Sequence, residues 1–194
     1  MVVHAAGRVP EIDDMNLDVA GVAWGGQGVK VNEFLQSVSN PAVYAAGDAA
    51  ASGGPRLTPV ASYESIIVAS NLLKGNHQKP NFLGIPTAVF AIPSLAAVGL
   101  SESEAHKKAL KFKVKKEMTS NWYSSRRIAE KYSGFKVLME EGTDRILGAH
   151  LLGTEAEEVI NLFGVAMRSG MHATDLKHML YAYPTRGSDV PYMP

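Results

Sequence analysis

The apolar residues of this chain fall into short runs before residue 58 and into longer periodic segments after it. Val43-Tyr44-Ala45-Ala46 is an apolar run closed by Gly47 and Asp48, which predicts a buried strand with a carboxylate at its carboxyl end. Leu57-Thr58-Pro59-Val60-Ala61 then opens a helical pattern. Thr58 is the expected N-cap and Pro59 the first helical residue. Val60, Ile66, Ile67 and Leu73 follow at helical spacing, and Gly75 supplies the stop. Upstream, residues 2–6 form a small apolar run closed by Gly7-Arg8-Val9-Pro10, with no cap or turn before it. Residues 11–42 are loop-rich, with short strands expected at 20–22 and 29–32 around the Gly25-Gly26-Gln27-Gly28 turn.

Beyond a linker carrying Pro80 and Pro86, the rhythm becomes α+β. Residues 87–91 and 96–99 read as short strands. Ser101-Glu102-Ser103-Glu104 is a capping box for a short helix ending near Leu110. Residues 112–118 alternate apolar and charged positions, as a half-buried strand does, with Lys111, Lys113 and Lys115 on its solvated face or protecting an edge. Residues 132–140 and 145–152 predict a hairpin around Glu141-Gly142-Thr143-Asp144. Thr154-Glu155-Ala156-Glu157 reads as a second capping box. It opens a helix with the apolar stripe Val159, Ile160, Phe163, Ala166 and Met167, stopped by Gly170. A last short helix is expected over residues 174–180. The domain boundary is placed near residue 79, giving segments 1–78 and 79–194.

Composition narrows the function classes. The chain has 194 residues and a formal net charge of zero, so nothing electrostatic favours nucleic acid or an anionic membrane surface. Arg126 and Arg127 beside Asn121-Trp122-Tyr123 resemble a nucleic-acid patch, but aromatics packed on the sheet are the better reading. No apolar run reaches the roughly 20 residues of a membrane span, and no secretory signal is visible, so a cytoplasmic location is expected. There is no cysteine, hence no disulfide framework, thiolate metal site or dithiol chemistry within the chain. The six histidines are scattered without metal-ligand spacing. The glycines of residues 25–28 lack the Lys-Ser/Thr of a phosphate-binding loop.

A strand-end carboxylate next to an open helix N-terminus can accept sugar-like hydroxyls and stabilise an anion. A strand–loop–helix with a solvated Asp48 is the plain alternative. "VYAAGDAA…LTPVA" resembles the second flavin-binding signature of the pyridine nucleotide-disulfide oxidoreductases, the family of glutathione reductase, dihydrolipoamide dehydrogenase and mercuric reductase. The resemblance implies that Asp48, beside Gly47, binds the ribityl chain of FAD. It also implies that Leu57, Thr58, Pro59, Val60 and Ala61 point at the flavin. Residues 3–10 resemble the family's return from the pyridine-nucleotide domain to the FAD domain. "FAIPSLAAVGLSESEA" and "ILGAHLLGTEAEEVINLFGVAMRSGMHATDL" resemble the opening, hairpin and long helix of its dimerisation domain. The likeness runs along essentially the whole chain, in the right order.

Two departures limit what the resemblance carries. The glycine-rich pyrophosphate loop, the redox cysteine pair and the nucleotide-binding domain are not in this sequence. The family's His-Pro-Thr-x-x-Glu reads Tyr183-Pro184-Thr185-Arg186-Gly187-Ser188, and a phenol with pKa of about 10 cannot replace an imidazole that titrates near neutrality. Mercuric reductases are similar in placing a tyrosine there, near bound metal, but their carboxyl-terminal cysteine pair is absent. Tyr183 is therefore carried over as a substrate-side position only, with a packing tyrosine as the alternative.

The expected architecture is α+β: an incomplete piece of an FAD-binding α/β domain followed by a reductase-type dimerisation domain. The expected function is that of a carboxyl-terminal fragment of an FAD-dependent NAD(P)H oxidoreductase, homodimeric through 79–194 and inactive alone. The alternatives are a free-standing, non-enzymatic dimerisation module, or one subunit of a split flavoenzyme whose amino-terminal part comes from another chain.

Overall fold

Period-two alternation and helical spacing account for most of the second half of the chain. A computed structural model describes residues 1–4 and 6–194, which divide into two units, Met1–Phe82 and Leu83–Pro194.

In the second unit, strands β3 (Pro86–Val89), β4 (Leu95–Gly99), β5 (Phe112–Met118), β6 (Gly134–Glu140) and β7 (Ile146–Leu152) form one antiparallel sheet in the order β3-β4-β7-β6-β5. The hairpin β6–β7 forms the middle, and β5 takes an edge, where exposed lysines oppose edge-to-edge pairing. Helix α4 (Ala156–Arg168) packs on β3, β4 and β7. Its stripe Val159, Ile160, Phe163, Ala166 and Met167 is buried throughout, against Val98, Val137, Ala149 and Leu151 of the sheet. Phe163 is fully buried, and truncating such a residue to alanine costs about 3–5 kcal/mol. Ser101 caps helix α2 (Glu102–Lys107) through the expected box: its hydroxyl accepts from the Glu104 amide, and Glu104 accepts from the Ser101 amide at 2.8 Å.

The second expected box does not form. Glu155, in the left-handed region at φ 63°, is the N-cap of α4 and makes no side-chain cap bond. Thr154 is used elsewhere: its amide and hydroxyl both donate to Glu130, at 2.6 and 2.8 Å. A carboxylate from a distant loop has displaced the local cap. The last helix, α5 (Ala173–His178), starts one residue early, because His172 and Asp175 form a capping box there. Between β5 and β6 lies the short helix α3 (Tyr123–Arg126). Trp122 just before it packs on Phe135 with ring centroids 5.8 Å apart, so this aromatic faces the sheet.

The first unit is loop-rich. Strands β1 (Trp24–Gly25) and β2 (Gly28–Val29) make a two-residue hairpin around the glycine turn, over a small core of Ile12, Leu17, Val22 and Val29. The apolar run at 43–46 is not the buried strand expected. Its residues are half-buried, Tyr44 makes a single antiparallel bridge to Gln36, and Ala50 a single parallel bridge to Val29. Parallel strands are stable when flanked and covered on both faces, and among the described residues no such neighbours flank this run. Residues 2–6 include Ala5, which lies outside the described residues; the described residues around it form no strand.

Helix α1 (Thr58–Lys74) is seventeen residues long and ends at Gly75, φ 78°. Two details differ from expectation. Leu57 is the N-cap and Thr58 the first helical residue. The buried face is Val60, Glu64, Ile67 and Asn71, whereas Ile66 and Leu73 are exposed. The helical spacing is kept, but two of the four buried positions are polar. Asn71 is fully satisfied: it donates to the carbonyls of Phe34 and Gln78 and accepts from the amides of His77 and Gln78, all at 2.9–3.1 Å.

Candidate functional site

Two places gather the residues with chemical potential, one in each unit.

In the first unit the chain turns sharply at Gly47–Ala49, a single 3-10 turn, and brings Gly47 against α1. Gly47 has φ +65°, and a Cβ there would lie 2.8 Å from the Ala61 Cβ, so only glycine fits this approach. The Gly47 amide donates to the buried Glu64 carboxylate at 2.6 Å. The other Glu64 oxygen has no hydrogen-bond partner. Asp48 is half-exposed and pairs with Arg8 at 3.3 Å. Arg8 and Arg56 each donate to the other's main-chain carbonyl, which ties residue 8 to the segment leading into α1. The first intrahelical bond of α1 runs from Ala61 to the Leu57 carbonyl at 3.0 Å. The amides of Thr58 and Val60 therefore precede the helical ladder, and Leu57 offers them no side-chain cap. Gly47, Asp48, Leu57, Thr58, Pro59, Val60 and Ala61 thus meet around one helix N-terminus. Arg56 and Glu64, which support this turn with Arg8 of the motif at residues 3–10, carried no distinguishing signal in the sequence; a glutamate on a helix reads as surface.

In the second unit the turn Arg186–Tyr192 closes over α3. Arg186 is at its centre: its guanidinium donates to Ser125 Oγ at 2.9 Å and Ser124 Oγ at 3.3 Å, and pairs with Glu130. Both charged side chains are nearly buried, at 11% and 7% exposure. Ser125 continues to Ser133 at 2.9 Å, and Thr119 donates to Ser133 at 3.0 Å. Ser124 donates to Asp189. Burial pushes the Asp189 carboxyl above its ordinary value, against the opposing pull of the Ser124 hydroxyl and the Arg186 charge. Tyr183 is exposed, stacks on Tyr123 at 5.9 Å, and precedes a cis proline peptide. Tyr183 and Asp189 share a cleft of about 550 Å³ with Glu117, Trp122, Ser188 and Tyr192, among others. Among the described residues no group of three metal-ligating side chains exists, and no helix is long and apolar enough to cross a membrane.

Residues 85–193 match the family model described as "Pyridine nucleotide-disulphide oxidoreductase, dimerisation domain". The chain belongs to the pyridine nucleotide-disulphide oxidoreductase family. Residues 1–65 match a second model of the same family. A Staphylococcus aureus protein described as "Uncharacterized 19.7 kDa protein in mercuric resistance operon" is 51% identical over 92% of this chain and 99% of its own length. Mercuric reductase of Staphylococcus aureus is 35% identical over 95% of this chain, but the match spans only 33% of the reductase. The pea glutathione reductase is 30% identical over 97% of this chain and 34% of its own length. The chain thus spans about a third of these longer family members. A flavoprotein disulfide reductase from Escherichia coli, RclA, superposes with a TM-score of 0.83 at 23% identity, covering 97% of this chain and 43% of its own, and so shares the fold. The chain is mixed α/β, with an antiparallel sheet and helices as in the disulfide reductases it superposes on.

The test of the family's flavin is local. An exposed helix N-terminus and a glycine that admits close approach suit the ring side of a flavin, and Asp48 suits its hydroxylated chain. Nothing among the described residues cradles a pyrophosphate: Gly25–Gly28 is a hairpin turn, not a loop opening a helix. The residues present fit part of FAD.

Proposed function

We propose that this chain is a dimerisation module of a disulfide reductase-type flavoprotein, with an incomplete flavin site and no catalysis of its own. Residues 79–194 are its dimerisation domain and form a homodimer. Residues 1–78 are the remaining part of an FAD domain, in which Gly47, Asp48, Leu57, Thr58, Pro59, Val60 and Ala61 would line the ring and ribityl side of FAD. A longer parent would use NAD(P)H as electron source. The observation that carries this reading is the contrast between the halves. The second unit has a five-stranded sheet covered by α4 around one core. In the first unit the apolar run that should be a central strand is left with single bridges.

Similarity to a protein of matching length from a mercuric resistance operon, and to mercuric reductases, supports a role beside mercuric reductase in the cytoplasm. Tyr183-Pro184-Thr185, in place of the histidine motif, supports the same direction: Tyr183 stands on the substrate side and does not exchange protons as a histidine would. The half-bonded, buried Glu64 favours one further version, in which another chain completes the FAD domain. Purified protein run over a sizing column with FAD tests the reading. It predicts a colourless protein without NAD(P)H oxidation. A co-eluting flavin band with turnover overturns it.

A further inference from the structure

The sheet of the second unit turns Val98, Phe135, Val137, Ala149 and Leu151 toward α4 and the core. The residues between them point to the opposite face, and strand register sets them in rows. One row runs Lys116–Lys136–His150–Ala97, from β5 through β6 and β7 to β4. The next runs Met118–Gly134–Leu152–Leu95. Helix α2 covers the far end of this face, where His106 meets Phe112 at 4.9 Å. A cleft of about 460 Å³ remains over the two rows. The carboxyl-terminal turn packs on the other face, where Tyr192 meets Trp122 and Trp122 meets Phe135.

The first row is basic. Lys116 stands directly opposite Lys136, and like charges so placed are destabilising. Glu102 pairs with Lys136 at 3.2 Å, and His150 Nε2 lies 3.2 Å from the Leu100 carbonyl oxygen. Lys116 has no ion pair among the described residues. Glu117, beside it in the strand, turns its carboxylate to the other face and accepts from the Trp122 indole at 3.2 Å. The second row is apolar and carries a notch. Gly134 leaves a gap between Met118 and Leu152, and a Cβ there would lie 2.8 Å from the Glu117 carbonyl oxygen. Met118 and Leu95 are exposed at 61% and 46%, so this trough meets water.

An apolar trough beside one unpaired ammonium suits a molecule with an apolar body and a single negative head. The body takes the trough out of water. The head gives Lys116 a partner and offsets its repulsion by Lys136. The volume of about 460 Å³ lies within the usual range for a small-molecule site. We propose that this cleft binds a small amphipathic carboxylate, with its head on Lys116 and its chain in the notch over Gly134, between Met118 and Leu152. Neither the residues assigned to flavin nor Tyr183 lines it, so the proposal is independent of both.

The test uses the full chain with octanoate as the probe, octan-1-ol as its neutral counterpart and acetate as the head alone, all read by calorimetry. Saturable octanoate binding at one site per chain is expected. Octan-1-ol should bind about three- to fivefold more weakly, the worth of one exposed charge pair, and acetate should not saturate in the same range. Lys116→Gln should bring octanoate down to the level of octan-1-ol and leave octan-1-ol unchanged. It should not lower the melting temperature, because a like-charge contact is removed. Met118→Ala, at an exposed position, should weaken octanoate and octan-1-ol alike. Equal binding of octanoate and octan-1-ol overturns the proposal, as does no saturable octanoate binding in protein that melts cooperatively. Acetate bound as tightly as octanoate, or octanoate affinity unchanged in both variants, also overturns it.

Discussion

Replacing Arg186 by methionine removes a charge from an almost closed environment while keeping most of the side chain's volume. Three interactions end at once: the pair with Glu130 and the donations to Ser124 and Ser125. Glu130 is 7% exposed and keeps only the Thr154 amide and hydroxyl as donors. Breaking a buried pair by deleting one partner costs about 3–5 kcal/mol, because the other charge stays buried without compensation. The two Thr154 donors put the expected loss at the lower end of that range, about 3 kcal/mol. The exposed pair Lys79–Glu33, with side chains 53% and 61% exposed, provides the contrast. Glu33→Gln should cost no more than about 1 kcal/mol. Urea unfolding followed by tryptophan fluorescence, from Trp122 for the second unit and Trp24 for the first, reads both. With m of about 1–3 kcal/mol per molar, Arg186→Met should lower the midpoint by about 1 M or more at unchanged m. Combining it with Glu130→Leu should return much of the loss, since the uncompensated charge is then gone. A midpoint shift no larger than that of Glu33→Gln would refute the reasoning and mean that the pair is hydrated in solution.

Other expectations follow from single contacts. Gly47→Ala must clear the Ala61 Cβ and hold a non-glycine residue at φ +65°, so the first unit should lose about 1–3 kcal/mol in urea melts. Ser101→Ala removes the cap of α2 and should cost about 1 kcal/mol in the same assay. Two carboxylates should give pH effects of opposite sign. Asp144, held below its ordinary value of 3.8 chiefly by the Thr174 hydroxyl, contributes stability that is complete above the unfolded pKa and is lost as pH falls through the lower folded one. Asp144→Asn should therefore flatten the acid limb of a stability–pH curve. Asp189, raised chiefly by burial, binds its proton more tightly when folded, so stability falls as pH rises from the unfolded pKa through the folded one. Asp189→Asn should remove that decline, and an unchanged curve would contradict the assignment.

Where structure depends on local pattern, the sequence was readable. The stripe on α4 is buried as its spacing predicts, and a strand forms over 112–118, although none of its residues is buried and Lys115, expected on the solvated face, donates to the carbonyls of Tyr192 and Pro194; the Ser101 box forms because every partner lies within four residues. Where structure depends on partners distant in sequence, local reading failed. Thr154 has the composition of a capping box, yet Glu130, twenty-four residues away, takes its donors. Val43-Tyr44-Ala45-Ala46 has the composition of a buried strand, yet pairing needs neighbours that are not found among the described residues. On α1 the apolar residues Ile66 and Leu73 point outward while Glu64 and Asn71 are buried, since each of the latter two meets main-chain groups that no periodicity reveals. The positions of Tyr183, Asp48 and the start of α1 could be found through motif resemblance. The polar network behind Tyr183 could not, because serines and a lone arginine have no signature until folding joins them.

Sedimentation equilibrium of the full chain at micromolar concentration tests the central claim most directly, because a dimerisation module must assemble without flavin. The account predicts a colourless species at twice the 20.8 kDa chain mass. A monomer at that concentration would contradict it.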